Sequence, residues 1–202
     1  MDTRTLDVYR AGIDAYLAQW GLRRYRVPPL LRELISTLPR GAWVLDLGCG
    51  PAQDARYLAQ KGYRSVGLDA VQEFLAWARS VSAATPLIRA DMRHLPFGAR
   101  AFDAVWAAAS LIHLPKRDVR VALAALHTIV APGGRLAATF VHGTASGVLA
   151  RGWLPGRYVS RWTNAELARA LERSGWNINS LKTVTNLERK GRWLNLTARS
   201  SG

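Results

Sequence analysis

The sequence predicts an α/β protein, a doubly wound sheet of about seven strands that is mostly parallel and ends in an antiparallel hairpin. Three observations carry this expectation. From residue 43 onward, short apolar runs alternate with stretches of helical periodicity, the order expected of parallel strands joined by helical crossovers. The first run, WVLDL at 43–47, is nearly continuous in its apolar character, as in a strand covered on both faces. The last two runs, WNINSLKTVTN and RWLNLTAR, flank a charged, glycine-containing turn, which is a hairpin signal.

Each element follows from local pattern. Leu6, Val8, Ile13, Tyr16, Leu17 and Trp20 recur at helical spacing before Gly21, and Pro28-Pro29 opens a second helix with Leu30, Leu31, Leu34, Ile35 and Leu38 on its buried side. After the strand at 43–47 come a helix over about 52–60, a strand at RSVGLD and a helix over 71–81. Strands at PLIRA and FDAVWAA, a helix over 118–130, a strand at GRLAATFV and a helix over 164–173 precede the hairpin. Residues 1–40 are expected to form helices capping a single domain over 41–202, because neither a repeat nor a long linker divides the chain.

Composition narrows the class. The 202 residues are 49% hydrophobic, enough for one core and too many for disorder. No apolar run reaches membrane-spanning length, and Arg4 and Asp7 interrupt the start before any signal-peptide core, so a soluble, cytoplasmic protein is expected. Cys49 stands alone, and the four histidines lack metal-ligand spacing, so no metal site is expected. The net charge is +14, from 28 basic residues of which four are lysine. These are scattered, with modest clusters at Arg23-Arg24-Arg26, Arg151/Arg157/Arg161 and Arg189-Lys190-Arg192. Scattered charge fits solvated faces, nucleic-acid phosphates, or a small anionic substrate.

The chemistry concentrates where strands end. In a doubly wound sheet, ligands bind outside the carboxyl ends of the strands, where the winding reverses. Asp46, Gly48 and Gly50 fall at the end of the first strand, and the glycines let a ligand approach the backbone. Asp69 ends the second strand, 19 residues after Gly50, a spacing at which an acid accepts ribose hydroxyls. Asp91 follows the third strand. Caps for the following helices would also explain aspartates there, but three at one sheet mouth point to a nucleoside. The dinucleotide pattern G-x-G-x-x-G fails at Gln53, which argues against a nicotinamide-dependent oxidoreductase.

An acid two residues before the first glycine, in DLGCGPA at 46–52, resembles the Asp/Glu-x-Gly-x-Gly-x-Gly motif of class I S-adenosylmethionine-dependent methyltransferases, with Ala52 in place of the third glycine. The likeness, to the small-molecule type 11/25-like branch, continues in order. SVGLDAVQEFL, IRADMRHLPF, FDAVWAAASLIHLP, LHTIVAPGGRLAATF and RYVSRWTNAELARALERSGWNI resemble successive family segments, although Trp176 replaces the usual Phe. The resemblance implies a Rossmann-like fold and S-adenosyl-L-methionine as cofactor. It assigns the ribose to Asp69, the adenine to Asp91 and Met92, and the amino-acid end to Asp46, Gly48 and Gly50, with Cys49, Ala70 and Ala108 alongside. Tyr16, Tyr25 and Arg26 are candidates for the cofactor carboxylate.

Two histidines are candidate bases for the acceptor's proton. His113 follows the fourth strand, and His142 ends the fifth; His94 and His127 have no assigned chemistry. Trp153, Tyr158 and Trp162 fall in an irregular segment that suits an acceptor lid, whereas Trp106 belongs in the core. A small-molecule acceptor is expected. A nucleic-acid methyltransferase is the alternative, but the Asn/Asp-Pro-Pro-aromatic motif of base amino-methylation is replaced by Ala-Ala-Ser-Leu-Ile-His.

Overall fold

The computed structural model describes residues 3–21, 25–186 and 191–201. Arg23, Arg24, Arg189 and Lys190 of the basic clusters, and the turn of the C-terminal hairpin, lie outside these residues.

Strands β1 (Trp43–Leu47), β2 (Arg64–Asp69), β3 (Leu87–Arg89), β4 (Phe102–Ala108) and β5 (Val130–His142) are the parallel part of the sheet. Two very short strands, β6 (Gly147–Val148) and β7 (Tyr158–Val159), pair with each other. β8 (Arg161–Trp162) adds to the end of β5 in parallel. β9 (Trp176–Asn186) and β10 (Gly191–Ser200) form the expected antiparallel hairpin, with β10 inserted against β5. The order is β3-β2-β1-β4-β5-β10-β9. The sheet is therefore Rossmann-like, and its winding reverses between β1 and β4.

Alternation along β1 and β4 explains how both faces are filled. Leu45 and Val105 face a core built by helices α6 (Lys116–Ile129) and α7 (Asn164–Glu172), through Val119, Leu123, Leu126, Leu167 and Leu171. Val44, Ala104 and Trp106 face the opposite side, against Leu30, Leu31 and Leu34 of α3 (Pro29–Ile35) and Leu58 of α4 (Gln53–Gln60). Helix α5 (Gln72–Val81) packs Leu75 and Ala78 beside α4. Trp106 is fully buried, as expected of a core residue. Thr163 and Glu166 close a complete capping box at the start of α7. The Thr163 N–H and the Lys116 ammonium, 2.9 Å away, hold the Glu166 carboxyl down to about 2.

The N-terminal region departs from a single cap. Helix α1 (Thr3–Ala11), helix α2 (Ile13–Tyr16) and a π-helical turn over Leu17–Gly21 lie at the mouth of the sheet. Helix α3 instead covers one sheet face and is part of the core. Its leucines are spaced for burial along one side, whereas Tyr9 and Tyr16 pack on Val71 and Phe74 at the start of α5.

Candidate active site

The switch point is defined by close backbone approach. Gly48, at φ +72°, lies so near Ser110 that a Cβ there would sit 2.3 Å from the Ser110 Cβ. Gly50, at φ +51°, faces the Tyr16 hydroxyl. Ala52 also adopts a left-handed conformation, φ 56°, so the conformation that suits a third glycine is retained without the glycine. An L-residue there costs about 1–2 kcal/mol, while its buried methyl returns about 0.8 kcal/mol. Ala52→Gly is therefore expected to stabilise the protein by about 0.5 kcal/mol, a rise in Tm of roughly 1–2 °C by calorimetry; a lower Tm would show that methyl packing outweighs the strain.

The strand-end carboxylates divide by role. Asp46 accepts the Ala55 N–H at 3.0 Å, which gives α4 the cap that Ala52 cannot supply. Burial, with Asp54 as neighbour, pushes its carboxyl well above the usual range. Asp69 accepts from Gly50 N–H and Val71 N–H, both at 2.8 Å, and so ties the glycine turn to the end of β2. Burial pushes Asp69 up, opposed by those N–H groups. Asp91 is oriented differently: it forks onto Arg93, with the shortest contact 2.7 Å. Burial raises it, but the guanidinium outweighs burial and holds the carboxyl well below the ordinary value.

A cavity of about 600 Å³ opens at this point, within the roughly 300–1,000 Å³ usual for small-molecule and cofactor sites. Of the residues singled out in the sequence, Gly48, Gly50, Asp69, Met92, Ala108 and His113 line it, together with Tyr16 and Trp153. Asp46, Cys49, Ala70, Asp91 and His142 are not among its lining residues. Cys49 packs into the small core beneath the turn with Ala55 and Leu75, where burial pushes its thiol up. His142 follows Val141, which does line the cavity; strand alternation turns the histidine to the other face.

Packing places four further candidates, Tyr25, Arg26, Tyr158 and Trp162, outside the cavity lining. Tyr25 gives its hydroxyl to Asp54, which also takes the Trp106 indole N–H at 2.7 Å, and Arg26 is exposed away from the cavity. Trp162 is fully buried beside Phe140 and so belongs to the core. Tyr158 contributes its backbone. Of the three aromatic lid candidates, Trp153 alone reaches the cavity wall.

The chemistry at the cavity centres on a chain of three side chains. His113 is 4% exposed in a 3₁₀ turn over Leu111–His113. Its Nδ1 is 2.8 Å from the Tyr158 carbonyl and its Nε2 is 2.8 Å from the Tyr9 hydroxyl. A carbonyl only accepts, so in the neutral ring Nδ1 carries the proton and Nε2 accepts the Tyr9 O–H. The Tyr9 oxygen in turn accepts from Arg157 Nη1 at 3.1 Å. Tyr9 and Arg157 went unnoticed in the sequence because they act across 148 positions. The only available signal was Arg157's membership of a basic cluster.

Comparison with known proteins agrees with this geometry. Residues 45–138 match the family profile described as "Methyltransferase domain". The malonyl-[acyl-carrier protein] O-methyltransferase of Pseudescherichia vulneris is 32% identical over 172 residues, covering 82% of this chain and 66% of that protein. The chain carries a methyltransferase domain over residues 45–138. An uncharacterized methyltransferase of Synechocystis sp. is 33% identical over 122 residues, 60% of this chain and 56% of that protein. The chain thus spans less than two thirds of the length of either relative. The magnesium protoporphyrin IX methyltransferase of Synechocystis PCC 6803 superposes with a TM-score of 0.77 at 20% identity, covering 100% of both chains. The Burkholderia thailandensis 1,6-didemethyltoxoflavin-N1-methyltransferase gives 0.76 at 22%, covering 98% of this chain and 85% of that one. At these identities the likeness is one of fold.

The class I methyltransferase cofactor suits what lines the cavity. Asp69 keeps lone pairs on both oxygens beyond the two N–H bonds it accepts, Met92 supplies an apolar surface, and the turn at Gly48 and Gly50 carries no Cβ. The Ser110 hydroxyl is buried in the wall without a hydrogen-bond partner among the described residues. Such an orphan favours a ligand with a polar group to meet it.

Proposed function

We propose that the protein transfers a methyl group from S-adenosylmethionine to a small-molecule acceptor bound in this cavity. The observation that carries the reading is Asp69, buried at the switch point and holding the glycine turn while it lines the cavity. When bound, the cofactor supplies a methyl group on a sulfonium, activated for in-line displacement. The chain's own work is positioning and proton removal.

His113 does not meet the acceptor's proton directly in this reading, since Tyr9 stands at its Nε2. The acceptor's proton passes to the Tyr9 oxygen as the Tyr9 proton passes to His113 Nε2. The imidazolium so formed keeps its Nδ1–H on the Tyr158 carbonyl, and the phenol is restored. Arg157, 3.1 Å from the same oxygen, stabilises the negative charge that develops there during the transfer. Trp153 and the segment around β6 and β7 enclose the acceptor end.

Asp69→Ala tests the cofactor half. Removing a charged acceptor from the ribose is expected to weaken S-adenosylhomocysteine binding by about 1–3 kcal/mol, measured by calorimetric titration. Unchanged affinity in a folded variant would place the ribose elsewhere. The acceptor half is tested by methyl transfer from labelled S-adenosylmethionine to a panel of small molecules and to RNA. Salt-resistant, sequence-selective transfer to RNA would favour the nucleic-acid alternative.

A further inference from the structure

Arg157 is 8% exposed, which is unusual for a guanidinium. Its Nε donates to the Leu154 carbonyl at 2.8 Å and its Nη1 to Tyr9 at 3.1 Å. Its plane lies over Trp153, 4.4 Å to the ring centroid, and near Tyr9 at 5.5 Å. Neither hydrogen-bond partner is anionic. Among the described residues no carboxylate pairs with it, and its Nη2 hydrogens have no protein acceptor. Buried charges are ordinarily paired, because desolvation costs several kcal/mol per ion.

The rest of the wall has the same sign. Among the described residues, Arg151, Arg161 and Arg192 also line the cavity, against one carboxylate, Asp69, which is engaged with the glycine turn. Such a wall repels a cationic acceptor and attracts an anion. We infer that the methyl acceptor carries a carboxylate or phosphate group, bound by Arg157 beside the Tyr9–His113 pair. The aromatic rings of Trp153 and Trp20 line the same cavity and suit a flat or apolar body behind that group. Because Nη1 already holds Tyr9, an anion on Nη2 brings the atoms next to it toward the Tyr9 oxygen. The acceptor group then lies within a few bonds of the anion. This inference rests on the methyltransferase reading for the word acceptor, while the anion site itself does not need the cofactor.

Benzoate, phenyl phosphate and the neutral benzamide are suitable probes, titrated into the full chain by calorimetry with and without S-adenosylhomocysteine. At least one anion is expected to bind ten times or more tighter than benzamide, consistent with a charge-assisted hydrogen bond; the better of the two names the anion. Arg157→Met should abolish the preference, and Arg157→Lys should restore part of it. A Tm measurement shows whether each variant folds, and the wild-type comparison of benzoate with benzamide stands without any variant. Equal binding of the amide, binding of neither anion, or a preference that survives in folded Arg157→Met overturns the inference. Failure of S-adenosylhomocysteine to bind in the same samples counts against the methyltransferase reading and leaves the anion comparison intact.

Discussion

Tyr9→Phe is expected to lower kcat by roughly 10²–10⁴, the usual contribution of a positioned acid–base group, while S-adenosylhomocysteine affinity stays within about threefold of wild type. The substitution removes one oxygen and keeps the ring, which packs edge-on to His113 and Phe74. His113 Nε2 then loses the Tyr9 hydroxyl, and the limb of the pH–rate profile that belongs to the pair should vanish. His113→Ala is a blunter instrument. It leaves the Tyr158 carbonyl and the Tyr9 hydroxyl without the imidazole they share, and opens a hole in a buried site, so about 2–4 kcal/mol of stability should go with the activity. An unchanged kcat for Tyr9→Phe at saturating cofactor and acceptor would end the relay.

Gly48→Ala should destabilise the fold by about 3 kcal/mol. A left-handed L-residue costs about 1–2 kcal/mol, and a Cβ placed 2.3 Å from the Ser110 Cβ adds an overpacking cost of about 1–3 kcal/mol. Denaturation should show a Tm lower by roughly 6–12 °C. Gly50→Ala provides the contrast. Its Cβ would meet the Tyr16 hydroxyl at 3.4 Å, an ordinary contact, so only the backbone cost of about 1–2 kcal/mol remains. Equal losses for the two variants would mean that conformation alone, without the approach of β1 to β4, accounts for the glycine turn.

The contrast between these glycines shows where the sequence was legible. Strand β1 and its glycines are contiguous, and their apolar run followed by a break can be read locally. The same holds for the hairpin of β9 and β10, and for Pro28-Pro29, which stands at the start of α3. What could not be read depends on partners far apart along the chain. Asp46 looked like a ligand because its partner, the Ala55 N–H, becomes available only when α4 packs back against β1. The family resemblance assigns Asp91 to the adenine; in the structure its carboxylate meets Arg93, two residues on. His113 was legible as a histidine in the loop after β4, and the structure places it in the cavity wall. Its direction was invisible, because Tyr9 comes from a helix 104 positions earlier. The strands β6, β7 and β8 are two residues each, too short for any period to register. They nonetheless matter, since they set the segment that brings Arg157 and the Tyr158 carbonyl to the cavity.

Titration of the wild-type chain with S-adenosylhomocysteine and, separately, with NADH tests the central claim most directly. The account predicts a saturable site for the adenosyl compound at one per chain, and no comparable heat from the nicotinamide. Both ligands offer a ribose to Asp69, so the comparison turns on whether the glycine turn without a glycine at Gln53 accepts a pyrophosphate. No binding of S-adenosylhomocysteine at millimolar concentration, or tight binding of NADH in its place, would contradict the account.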